Sequence, residues 1–211
     1  MSRRKSRRGG RGAPLRESEA DITDLAEDGR GVARIDGKVT FVTGALPGEH
    51  VQLQVMRSRR DVDEGVATVI QQASPQRVEP GCEHFDICGG CALQHLAPEA
   101  QIAFKQKQVL DALAHIGHVQ PEAVAEPVAG PTWGYRRRAR LGARWVYNKN
   151  RALVGFRERS GGKIAVLSRC EVLDERVGSR LEALGELIGT LSIREKIPQL
   201  EVATADDAVV L

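Results

Sequence analysis

The chain has 211 residues, of which 41% are hydrophobic and only 4% aromatic, enough for one or two small cores. No window approaches the roughly 18 consecutive apolar residues of a membrane span, and no apolar run follows the basic N-terminus, so a cytoplasmic protein with no membrane partner is expected. The net charge of +3 hides an asymmetry: six Arg and Lys and no acid fall within the first twelve residues, leaving −3 for the rest.

That arm, Arg3, Arg4, Lys5, Arg7, Arg8 and Arg11 among glycines, cannot bury apolar area and is expected to be disordered. A polyanion such as nucleic acid is its natural partner, a solubilising role the bland alternative. From residue 18 to about 72 the chain reads as a small all-β domain. Turn signals at Asp28-Gly29, Asp36-Gly37, Gly44 and Pro47-Gly48 separate strand candidates at Val39–Val42, at Val51, Leu53 and Val55, and at Val66–Ile70. About five strands at this length suggest an OB-like barrel, a shape that commonly binds oligonucleotides. Arg57, Arg59 and Arg60 form a basic hairpin tip, a candidate RNA contact.

A linker with Pro75 and Pro80 leads to the four cysteines of the chain. Cys82, Cys88 and Cys91 follow the spacing Cys-x5-Cys-Gly-Gly-Cys, and Cys170 stands far downstream. Four thiolates suit a tetrahedral zinc ion or a cubane iron-sulfur cluster; the alternative is four unrelated core or disulfide-bonded cysteines. Disulfides are not expected in the cytoplasm. His84 and His95 are expected at the surface or behind the ligands rather than as ligands.

A helix should start at Pro98 and stop at Gly117, with Ile102, Val109, Leu113 and Ile116 as its apolar stripe. The segment from Tyr135 to Trp145 is the most basic in the folded part. In an extended strand Arg136, Arg138, Arg140 and Arg144 share one face, and Arg137 lies on the other with Tyr135, Ala139, Leu141, Ala143 and Trp145. A row of guanidinium groups repels itself unless phosphates or carboxylates lie across it, so these four are candidate RNA contacts. Turns at Asn148-Lys149-Asn150 and at Ser160-Gly161-Gly162-Lys163 predict a three-strand meander ending at residues 164–167, with Cys170 just beyond. One amphipathic helix is expected through Leu173, Val177, Leu181, Leu184, Ile188 and Leu191. After Pro198 a strand, a turn at Asp206-Asp207 and a second strand from Val209 to Leu211 end the chain, as if a larger protein had been cut there.

At this point a family resemblance enters. The runs from Asp24 to Ala33 and from Val42 to Glu49 resemble a TRAM domain, an OB-like RNA-binding module. The stretches from Cys82 to Leu96, Lys105 to Leu110 and Trp133 to Leu141 resemble the N-terminal half of bacterial RNA uracil-C5 methyltransferases, those acting on 23S rRNA most closely. The resemblance implies a 4Fe-4S cluster held by Cys82, Cys88, Cys91 and Cys170, and 23S rRNA as partner. It also implies a C-terminal Rossmann-like domain, missing here, that binds S-adenosylmethionine. Such enzymes attack C6 of a flipped-out uracil with a cysteine thiolate, transfer methyl to C5 and remove the C5 proton with a carboxylate. With four cysteines committed to the cluster, no catalytic and no S-adenosylmethionine-binding residue is expected in this chain.

The fold class expected is therefore α+β, mainly β. It comprises a basic arm (1–15), a TRAM domain (16–74), a cysteine loop (75–97), a helix meant to pack on the missing domain (98–118) and an incomplete β-rich central domain (119–211). A monomer is expected at full length. Two other classes compete: a zinc- or cluster-stapled RNA-binding module without activity, and an electron carrier. Radical methylthiotransferases use Cys-x3-Cys-x2-Cys, which this chain lacks.

Overall fold

The computed structural model describes residues 15–211, and the basic arm lies outside the described residues but for Leu15. Two compact units emerge, Met1–Glu79 with His95–Gln120, and Pro80–Gln94 with Pro121–Leu211. Mixed sheets with few helices make the class α+β.

The first unit is one six-stranded sheet and a helix. Its strands are β1 (Arg16–Asp21), β2 (Asp24–Leu25), β3 (Gly31–Ile35), β4 (Lys38–Thr43), β5 (His50–Ser58) and β6 (Val62–Gln72). Their order is β1-β5-β6-β4-β3-β2, antiparallel throughout except for the parallel pair β4 and β6. Period-two alternation builds it: in β5, Val51, Leu53 and Val55 are buried while the residues between them are not. Together with Ala20, Ile22, Ala33, Ile35, Val42 and Ala45 they form the core. β1, with sequence RESEAD, has too little apolar pattern to be read as a strand and is recruited by backbone pairing with β5. The helix, α1 (Pro98–His115), forms as predicted with proline in its first turn, yet none of its residues is buried. Apolar residues are spread around its axis, and Val109 and Ile116 stay exposed.

A buried carboxylate ties the strand connections of this unit together. Glu49, 1% exposed, accepts from the backbone N–H of Leu46 (2.8 Å) and Ser74 (3.1 Å) and from Arg77 Nε (2.5 Å) and Nη2 (2.8 Å). Burial alone would raise its pKa, but the hydrogen bonds from Arg77 and the two N–H groups outweigh it and hold the carboxyl below its ordinary value. A depressed folded value means stabilisation that is complete above the unfolded pKa of about 4.3 and is lost as pH falls through the folded one. Glu49→Gln, which strands Arg77, should destabilise the unit by about 3 kcal/mol near neutrality. Urea midpoints of both proteins across pH 3–7 check this: the gap should close on the acid side.

The second unit holds a four-stranded antiparallel sheet of β7 (Arg138–Val146), β8 (Arg151–Gly155), β9 (Gln199–Thr204) and β10 (Val209–Val210), ordered β10-β9-β7-β8. Helices α2 (Glu175–Gly178) and α3 (Leu181–Thr190) bury Val177, Leu181, Leu184 and Ile188 in the same core as Leu141, Ala143, Ala152, Val154 and Val202.

Two expectations are corrected here. Residues 164–167 are not the third strand of a meander; only a single bridge joins Arg157 to Ile164, and β9 takes the place beside β7. The backbone of residues 157–159 has another partner: Gly89 N–H donates to Arg157 O (2.8 Å), Arg159 N–H donates to Ile87 O (2.8 Å), and Cys88 bridges Glu158. Nor is there one helix from Leu173 to Leu191. Leu173 precedes it, Leu191 is exposed, and the helix breaks after Gly178, whose carbonyl accepts the N–H of Cys170 (3.0 Å).

Candidate metal centre

The three clustered thiols lie on a turn-rich loop, and Cys170 is brought to them by the segment leading into α2. All four line one small cavity with His84, Phe85, Phe156 and Leu167, partly open to solvent. All four are free thiols. Among the described residues, no three His, Cys, Asp or Glu side chains are grouped so as to hold a metal ion.

Local backbone geometry points N–H groups at three of the sulfurs. Burial pushes the Cys82, Cys88 and Cys170 thiols up, Cys88 being the least exposed at 9%. Opposing that rise, Cys82 receives the N–H of His84, Cys88 that of Gly90 (3.4 Å) and Cys170 those of Leu173 and Val172. Such donors favour the thiolate, the form that binds metal.

The two glycines of the loop serve close packing. A Cβ on Gly89 would stand 3.0 Å from Arg157 O, and one on Gly90 would stand 2.9 Å from the Phe156 ring. Gly178 seats Cys170: a Cβ there would meet Cys170 O at 2.4 Å. His84 also braces the cavity, its Nε2 lying 3.1 Å from Ser168 Oγ, while Ser168 in turn donates to Glu83 (3.0 Å). His95, expected at the surface or behind the ligands, is instead buried in the first unit.

The basic candidates divide. Arg136 lies ahead of β7, which starts at Arg138, and bridges Leu173 instead; its guanidinium donates from both Nη atoms to Gly90 O (3.3 Å each). Arg140 forks onto Glu201 of β9 (3.0 and 2.8 Å), and Arg137 pairs with Asp206 (2.6 Å). Arg138 and Arg144 are exposed and form no ion pair among the described residues. At the hairpin tip Arg57 and Arg59 share Glu64 at 3.7 and 3.4 Å, and Arg60 lies 3.9 Å from Asp61. Arg159, which sequence reasoning missed, donates to Phe85 O and Cys91 O. No periodic or motif signal marks it. Among the described residues, no helix is long and apolar enough to cross a membrane.

Residues 15–77 match the TRAM domain family. The chain is 50% identical over 192 residues to the 23S rRNA (uracil(1939)-C(5))-methyltransferase RlmD of Aromatoleum aromaticum, covering 91% of this chain and 44% of that protein. It is 48% identical over 198 residues to RlmD of Methylococcus capsulatus, covering 94% and 45%. Among solved structures, the tRNA (uracil-54, C5)-methyltransferase of Pyrococcus abyssi in complex with S-adenosyl-L-homocysteine matches at 26% identity with a TM-score of 0.57, over 90% of this chain and 44% of that one. With a TRAM module at residues 15–77 and near 50% identity along more than nine-tenths of its residues, the chain is similar to the RlmD 23S rRNA uracil-C5 methyltransferases, of whose length it spans a little under half.

Proposed function

We propose that this chain is the RNA-binding and cluster-bearing portion of a cytoplasmic, monomeric methyltransferase that converts a uridine of 23S rRNA to 5-methyluridine with S-adenosylmethionine. The observation that carries the reading is the convergence of Cys170 with Cys82, Cys88 and Cys91 on one cavity. These four thiols would hold a 4Fe-4S cluster. Their chemistry fits it: all are free, and three accept backbone N–H groups, the hydrogen bonds that tune cluster sulfurs. When bound, the cluster would supply a covalent staple between the loop and the segment before α2. With the four cysteines so engaged, the nucleophile, the carboxylate base and the S-adenosylmethionine site would belong to a Rossmann-like domain outside this chain.

The chain's own task would be to grip RNA. Arg138 and Arg144 are exposed on β7 and, among the described residues, have no ion-pair partner, whereas Arg140 already has Glu201. Binding of an unmodified 23S rRNA fragment to the chain should therefore weaken with salt. Arg138→Ala and Arg144→Ala should each lower the slope of log K against log salt by about 0.7 to 0.9, and Arg140→Ala by less. Wild-type slopes in both of the first two variants would remove this strand from the RNA interface.

A further inference from the structure

We infer that Arg136 and Arg159 are positioning residues for the cysteine loop, holding its carbonyl oxygens from outside and setting two positive charges beside the thiolates. The inference rests on the cluster reading above. A loop that turns N–H groups toward sulfur leaves carbonyl oxygens without strand partners, and a half-buried carbonyl needs a donor. Arg159 Nη2 supplies one to Phe85 O (2.9 Å) and to Cys91 O (2.8 Å), with its guanidinium 4.5 Å from the centre of the Phe85 ring. Arg136 supplies Gly90 O through both Nη atoms, with its guanidinium 5.4 Å from the centre of the Phe156 ring. That ring in turn packs on the Gly90 backbone.

The two side chains thus bracket the loop: one binds near both of its ends, at Phe85 and Cys91, and the other at the Gly-Gly turn. Both are part-buried in these bonds, and charge in a partly dehydrated site acts at higher strength than in water. Arg159 Nε is buried and, among the described residues, has no hydrogen-bond partner. The Nε donor therefore remains after the carbonyls are served. Four thiolates around a cluster carry net negative charge, and net charge and hydrogen bonding are levers on a cluster's reduction potential. Removing a guanidinium should loosen the loop and make the cluster harder to reduce.

The test compares wild type with Arg136→Gln, Arg159→Gln, Arg136→Lys and Arg159→Lys, all as the full 211-residue chain purified anaerobically. Three quantities are read: iron per chain, the rate of iron loss to a chelator, and the midpoint potential in a dye-mediated titration. The Gln variants should lose iron about 10 to 100 times faster and shift to more negative potential. The Lys variants, which keep the charge but not the fork, should also lose iron faster while holding the wild-type potential. A loaded wild type whose Gln variants keep its potential would overturn the inference and leave the cluster reading standing. A wild type without iron would overturn both.

Discussion

Anaerobically purified protein is expected to be brown with about four irons per chain, and Cys88→Ser to be colourless. Cys88 is the most buried of the four cysteines, its sulfur takes the Gly90 N–H, and its backbone bridges Glu158. A serine there offers a smaller, harder oxygen to a site whose other donors are sulfur, and soft thiolates are what such clusters select. Iron analysis and visible absorbance read the outcome. Zinc in place of iron in the wild type would sink the cluster assignment. Because the staple would join the loop to the Cys170 segment, amide exchange in residues 80–94 and 168–178 should accelerate in the variant.

Gly178→Ala is expected to do nearly as much damage without touching a sulfur. Alanine ordinarily favours a helix over glycine by about 1 kcal/mol, so on propensity alone the change should stabilise α2. The new Cβ, however, would stand 2.4 Å from the carbonyl oxygen of Cys170, a backbone atom with no rotamer to escape into. Relieving it moves the segment whose Cys170 N–H bonds to Gly178 O. Overpacking of this kind destabilises by about 1–3 kcal/mol, and the strained hydrogen bond adds about 1. The net should be a loss of roughly 1–3 kcal/mol after the helix gain is subtracted, with iron per chain falling well below that of wild type. Gly162→Ala, where a Cβ meets nothing within 4 Å, is the control. Equal urea midpoints and equal iron in the two variants would show that Gly178 does not seat Cys170.

What could be read in the sequence and what could not divide along physical lines. Strong period-two runs such as Val51, Leu53 and Val55 announced their strand, and the heptad-like spacing of Val177, Leu181, Leu184 and Ile188 announced a buried face, because burial acts on side chains that composition displays. β1 could not be read, since its hydrogen bonds come from β5 and its residues are polar. The third meander strand failed for the opposite reason. Residues 163–165 keep backbone bonds to residues 156–158 without forming a strand, and the other edge of that segment pairs with the cysteine loop, a tertiary pairing with no local signature. Within the candidate site, thiol spacing was visible and the supporting shell was not. Arg136 looked like part of a phosphate-facing row, but strand alternation says nothing about a residue that precedes the strand, and Arg159 had no pattern at all.

The pairing of the cysteine loop with residues 157–159 and with Cys170 also has a consequence in time. Its partners are made about seventy to ninety residues after it, and loops of that length close slowly and late. At ribosomal speeds of about 5–20 residues per second, the three clustered thiols would wait on the order of ten seconds for Gly178 and its surroundings. Through that interval the Gly-Gly turn has neither its strand partner nor its ring to pack against, and its sulfurs are open to oxidation. Formation of the centre is thereby placed near the end of the unit's birth, so that oxidant pulses during synthesis should harm this protein far more than the same pulses given afterwards.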